Sequence, residues 1–173
     1  MPRSADVAVL MGSDSDLPVM AECVKVLEAY GVSHDVRVVS AHRTPEQAVR
    51  FAREAERRGF RIVVAGAGGA AHLAGVVAAH TTLPVIGVPL ASSPLGGFDA
   101  LLSTVQMPPG VPVATVGVGP MGAANAGHLA VTILALRDAA LRRRLVEKRH
   151  AMAAAVLEKS RNVPKRLKEL LGR

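Results

Sequence analysis

The stretch Val7-Ala8-Val9-Leu10-Met11-Gly12-Ser13-Asp14-Ser15-Asp16 decides the fold. Its first half is an unbroken apolar run closed by glycine, the pattern of a strand buried in the middle of a sheet. Its second half is a turn of small polar residues, and Asp16 with Pro18 nearby opens a helix that should reach Tyr30-Gly31. Similar units recur along the chain. Val36–Val39 is a more polar second strand suited to a sheet edge. After Ser40-Ala41-His42-Arg43, Thr44 and Pro45 begin a helix ending near Gly59, with Thr44 read as its cap and Gln47 reaching back. Arg61–Ala65 is a third strand, closed by Gly66-Ala67-Gly68-Gly69-Ala70 and a short helix from His72 to His80. Pro84–Pro89 and Val113–Val118 complete five strands, with a helix over Gly97–Val105 between them. Two more helices are predicted over Ala123–Leu136 and Asp138–Lys159.

Five strands alternating with helices predict an α/β fold of three layers, with a parallel sheet and right-handed crossovers. The expected strand order is 2-1-3-4-5, the flavodoxin-like arrangement, with additional C-terminal helices. One domain covers residues 1–159, and residues 160–173 form a basic tail, in which Asn162–Arg173 is either a short helix or a frayed end. In this order ligands sit beyond the carboxyl ends of the strands, where strands 1 and 3 meet. The loops arriving there are Gly12–Asp16 and Gly66–His72, with Ser40–Arg43 beside them.

Composition narrows the function. A length of 173 residues bounds the chain to one ordinary domain. Half the residues are hydrophobic but only 2% are aromatic, so the core must come from Ala, Val, Leu and Ile. Platforms for stacking nucleic-acid bases are missing. A lone Cys23 excludes an internal disulfide framework and a Cys-rich zinc site, and it reads as a small buried hydrophobe. The Met1–Asp6 terminus has no apolar signal core, and no run approaches the ~18 apolar residues of a membrane span. A soluble cytoplasmic domain without membrane contact is expected.

The net charge of +7 is unevenly placed: residues 137–173 carry 12 Lys/Arg against 4 Asp/Glu. A solvated helix face accounts for that excess better than a nucleic-acid tail, because no binding motif accompanies it. Between Ile62 and Leu136, Asp99 is the only formal charge, too little polar surface for a dispersed monomer. A homo-oligomer is expected, with the charge-poor region after Ile62 supplying much of the interface and the small-residue helix Ala123–Leu136 letting helices approach closely.

The loops carry the chemistry. Small residues at Gly12–Asp16 expose backbone N–H groups and two hydroxyls, which suits an anion such as phosphate, or else an ordinary capped turn. Asp16 suits a ribose hydroxyl pair. His42 offers a base that titrates near neutrality, beside Arg43, which can fork onto phosphate; the alternatives are a loop histidine and a surface arginine. Gly66–His72 lacks the spacing and following acid of a dinucleotide fingerprint, and the chain lacks a P-loop lysine, so NAD, FAD and ATP hydrolysis are not indicated. A loop without side chains lets a small planar ligand approach the backbone. His72 is a pocket wall or a capping residue. His34, His80, His128 and His150 stand singly and read as structural, as does Met11, and no pair suggests a metal site.

Met11–Asp16, Ser40–Pro45, Ala65–Leu73 and Gln106-Met107-Pro108 together resemble the N5-carboxyaminoimidazole ribonucleotide mutase family of purine synthesis, from about Val7 to Leu157. The resemblance implies isomerisation of that substrate to 4-carboxyaminoimidazole ribonucleotide, without ATP, metal or cofactor. It implies that Ser13 and Arg43, with Ser15, hold the 5′-phosphate and that Asp16 holds the ribose. It makes His42 the general acid–base. Ser40 and Gly68-Gly69-Ala70 line the pocket around the migrating carboxylate, with His72 near the substrate. A related branch carboxylates aminoimidazole ribonucleotide directly with carbon dioxide and typically reads Ser-Ala-His-Lys-Gly-Pro; Arg43-Thr44 here favours the mutase. The resemblance also implies a homo-octamer with sites near subunit boundaries. The competing reading is a flavodoxin-like module that holds FMN or a nucleotide without chemistry, and it lacks aromatics to flank a flavin.

Overall fold

The computed structural model describes residues 5–172, so the Met1–Ser4 part of the terminus discussed above and Arg173 of the basic tail lie outside the described residues. Five parallel strands form one sheet in the order β2-β1-β3-β4-β5. They are β1 (Val7–Met11), β2 (His34–Val38), β3 (Ile62–Gly68), β4 (Val85–Leu90) and β5 (Ala114–Thr115). Central β1 is buried at every position, while edge strand β2 is half-exposed, as their apolar and polar sequences require.

Successive side chains of a strand point to opposite faces, and each face of the sheet has its own helices. Ala8, Leu10, Val63 and Ala65 join a buried cluster with Ala48, Phe51 and Ala52 of α2 (Pro45–Glu54) and Leu73 and Val77 of α3 (Leu73–Ala78). On the other face, α1 (Leu17–Ala29) and α5 (Gly119–Leu134) pack on one another. A Cβ on Gly127 would meet the Cys23 carbonyl at 2.9 Å and Val26 Cβ at 2.9 Å, so this glycine sets how closely the two helices approach. The small face of α5 is therefore occupied within the chain: Gly122, Ala123, Ala126, Gly127 and Ala130 are buried. Helix α4 (Phe98–Val105) packs on β4.

The expected fifth strand over 113–118 pairs only at Ala114 and Thr115. Pro89 explains the shortening. Val116 N–H donates to the Gly87 carbonyl, so alternate β4 residues 87 and 89 turn their backbone groups toward β5. At position 89 proline has no N–H to give, and the ladder stops.

Among the described residues, those from Ala135 onward form a separate compact unit containing helix α6 (Ala139–Leu170). Asp138 caps it by accepting the Leu141 N–H at 2.9 Å. The helix runs unbroken past Lys159 to Leu170, where a separate short helix or a frayed end was expected. Pro164 lies inside it and deprives only the Ser160 carbonyl of its donor. Among the described residues no helix is long and apolar enough to cross a membrane.

Candidate active site

The carboxyl ends of β1, β2, β3 and β4 surround a cleft of about 360 Å³. Gly12, Ser13, Ser15 and Asp16 line it from the loop after β1, and Ser40–Arg43 from the loop after β2. Ala67, Gly68, Ala70 and Leu73 face it from β3 and the turn into α3, and Ser92 from the loop after β4. A larger hollow of about 580 Å³ is lined by residues of α2 and by Arg57 just beyond it, and brings no separate loops together.

The first loop is a single 3-10 turn, Asp14–Asp16, capped by Ser13. Ser13 N–H donates to Asp16 Oδ2 at 3.0 Å, and Ser15 N–H approaches Ser13 Oγ at 3.3 Å, so cap and acid hold one another. The hydroxyls are chained: Ser15 Oγ donates to Ser13 Oγ at 2.9 Å, which donates to Asp14 Oδ1 at 3.2 Å. Asp14 itself is exposed, while Asp16 is buried. Burial pushes the Asp16 carboxyl above the ordinary range, opposed by the Ser13 and Gly12 N–H groups and by the Arg43 charge.

The second loop is clasped by its own side chains. Thr44 Oγ1 accepts Ser40 N–H at 3.1 Å and donates to the Ser40 carbonyl at 3.0 Å, while Arg43 N–H donates to Ser40 Oγ at 3.1 Å. Thr44 therefore makes no side-chain cap to α2, contrary to the sequence expectation: its hydroxyl turns back to Ser40 and closes the turn instead. Arg43 and His42 leave this turn in different directions. Arg43 Nη2 donates to the Gly12 carbonyl at 2.8 Å, tying the second loop to the first. His42 Nε2 lies 2.8 Å from His72 Nδ1, tying the second loop to the third.

The glycines of the third loop have separate duties. Gly68 lies against Ser92, whose side chain occupies the place a Cβ would take. Gly69 has φ +58°, a left-handed conformation, and is absent from the cleft lining. Ala71 N–H donates to Ser103 Oγ at 3.1 Å, so α4 braces the loop from outside the cleft.

Ser13, Ser15, Asp16, Ser40, His42, Arg43, Gly68 and Ala70 line one cleft. Gly69 and His72 do not. His72 stands at the N-terminus of α3 without capping it and is bonded to His42. Ser92 went unread in the sequence, although the end of the fourth strand was a signal for it, since ligands gather at carboxyl ends. Cys23 is fully buried, which pushes its thiol up to about 12 and removes it from nucleophilic chemistry. No group of three or more His, Cys, Asp or Glu suited to a metal ion occurs among the described residues.

The loops that meet in the cleft belong to a long match with known proteins. A mutase from Brucella melitensis biotype 1, described as N5-carboxyaminoimidazole ribonucleotide mutase, is 54% identical over 92% of this chain and 98% of its own length. The protein of the same description from Pyrococcus abyssi is 55% identical over 88% of this chain and 84% of its own length. The crystal structure of Treponema denticola PurE superposes with a TM-score of 0.81 at 28% identity, covering 90% of this chain and 96% of that one. Residues 6–155, which include all four strand-end loops, match the description AIR carboxylase, and the chain is a member of that family.

Proposed function

We propose that this chain is an isomerase of purine biosynthesis that converts N5-carboxyaminoimidazole ribonucleotide into 4-carboxyaminoimidazole ribonucleotide. One observation carries the proposal: the Ser13–Asp16 and Ser40–Arg43 segments converge on a single cleft in a chain about half identical to proteins described as that mutase.

In this reading Ser13, Ser15 and Arg43 hold the 5′-phosphate and Asp16 accepts from the ribose hydroxyls. Ser40, Gly68 and Ala70 shape the space around the migrating carboxylate, and Gly69, outside the lining, supplies the left-handed turn between them. His42 delivers a proton to the exocyclic nitrogen as the carbamate nitrogen–carbon bond breaks and carbon dioxide leaves. The aminoimidazole C4 then attacks the same carbon dioxide, and His42 takes back the C4 proton, which restores the aromatic ring. Holding carbon dioxide within a few ångströms of C4 supplies an effective concentration that free gas lacks. No step requires ATP, a metal or another cofactor, so turnover should survive a chelator. The catalytic domain covers residues 1–159, the tail at 160–173 has no role in the reaction, and the enzyme works as a cytoplasmic homo-octamer.

An isotope experiment tests the reaction. With unlabelled substrate and labelled bicarbonate, early product should contain little label. Prompt entry of label would overturn the isomerase reading in favour of direct carboxylation of aminoimidazole ribonucleotide.

A further inference from the structure

The contact between His42 and His72 has no part in the proton bookkeeping above. At 2.8 Å, with ring planes inclined by 80°, Nε2 of His42 and Nδ1 of His72 hold one hydrogen between them. His42 lines the cleft and His72 does not. His72 does not cap α3 either, so no duty toward the helix explains where its ring lies. The contact joins loops that follow β2 and β3, strands separated in the sheet by β1. A ring held across the end of another strand is fixed from a distance of 30 residues in sequence.

We infer that His72 is the positioning residue for His42. In the neutral form, with its proton on Nε2, His72 accepts the His42 Nε2–H and reserves His42 Nδ1 for proton transfer. This inference rests on the carboxyl transfer proposed above. The opposite arrangement, with His72 Nδ1–H donating, fails when His42 is cationic, because both facing nitrogens would then carry hydrogen. With His72 as acceptor, the same hydrogen bond survives every step. His42 Nδ1 loses its proton to the exocyclic nitrogen and regains one from C4, while the shared hydrogen stays on His42 Nε2. The orienting partner fixes the tautomer and supports the imidazolium while its own proton stays in place, the logic of the third member of a hydrolase triad.

The test compares two substitutions in the full-length enzyme. His72→Leu should lower kcat about 10- to 100-fold with little change in KM, as expected when an orienting partner outside the substrate's reach is lost. His72→Asn places an amide oxygen near the position of Nδ1 and should keep kcat close to that of the wild type. Wild-type turnover in His72→Leu overturns the inference, and so does equal damage in both variants. A measurement on the unsubstituted protein is independent of folding in the variants. Nitrogen-15 spectra with both rings neutral should find the His42 proton on Nε2, and a proton on Nδ1 overturns the inference. Failure of the wild type to isomerise its substrate would count against the proposed function, while the nitrogen-15 result would still decide the pair.

Discussion

At the scale of single residues, Asp16 shows a site residue held at some cost to the fold. Burial raises its carboxyl above the ordinary range, so the folded chain binds a proton more readily than the unfolded chain. The stability tied to that proton is complete below the unfolded value near 3.8 and is lost as pH rises through the raised folded value. Asp16→Asn keeps an acceptor for Ser13 N–H, so it should melt higher than the wild type at pH 7 and lose that advantage toward pH 4. Ribonucleotide binding should weaken in the same variant, which calorimetric titration would show. His42→Asn is expected to leave binding largely intact and reduce turnover ~10²–10⁴-fold, the usual loss for a general acid–base group. Arg43→Ala should chiefly raise KM, since it removes a charged donor for phosphate and also the tie to Gly12. Steady-state kinetics on the two variants separates these outcomes.

At the scale of elements, much of the architecture was written in local pattern. The Val7–Met11 run and Gly12 mark a central strand and its turn without any tertiary knowledge, and the switch point follows from strand order. What stayed hidden depends on direction rather than residue type. Nothing local says that Thr44 turns its hydroxyl back toward Ser40, or that Pro89 lacks its amide on the β5 side of β4. The pairing of His42 with His72 needs the third dimension, because another strand lies between their loops. Ser103 is likewise invisible in sequence, yet its hydroxyl accepts Ala71 N–H and donates to the Asp99 carbonyl at 2.9 Å. Ser103→Ala would leave the buried Ala71 amide unpaired, a loss of about 1–3 kcal/mol. Amide hydrogen exchange across residues 66–72 should quicken in that variant while the central strands stay protected.

At the scale of the whole molecule, the proposed assembly would draw on the charge-poor region after Ile62, which includes α4 as well as α5. With the small face of α5 occupied by α1, the exposed apolar residues Leu95, Phe98, Leu102 and Val105 recur at helical spacing along α4 and the turn before it. Light scattering should give a mass eightfold above 18.0 kDa, and a mass near 18.0 kDa would remove the octamer. Phe98→Glu combined with Leu102→Glu should lower that mass, because paired charges would enter an apolar contact. The basic end of the chain makes the opposite case. Every described residue from Arg149 onward is exposed, so deleting residues 160–173 removes no buried side chain of the described chain. Melting temperature and turnover should both survive the deletion.

His42 and Arg43 are consecutive, yet one holds the loop after β3 and the other the loop after β1. Exchanging Arg43-Thr44 for the Lys-Gly typical of the carboxylating branch would replace the guanidinium that donates to the Gly12 carbonyl with an ammonium. It would also delete the hydroxyl that closes the turn on Ser40. In terms of descent, substrate grip and acid–base geometry at this turn form one heritable block. A lineage that alters the first inherits a disturbance in the second, and must repair both before selection can favour either.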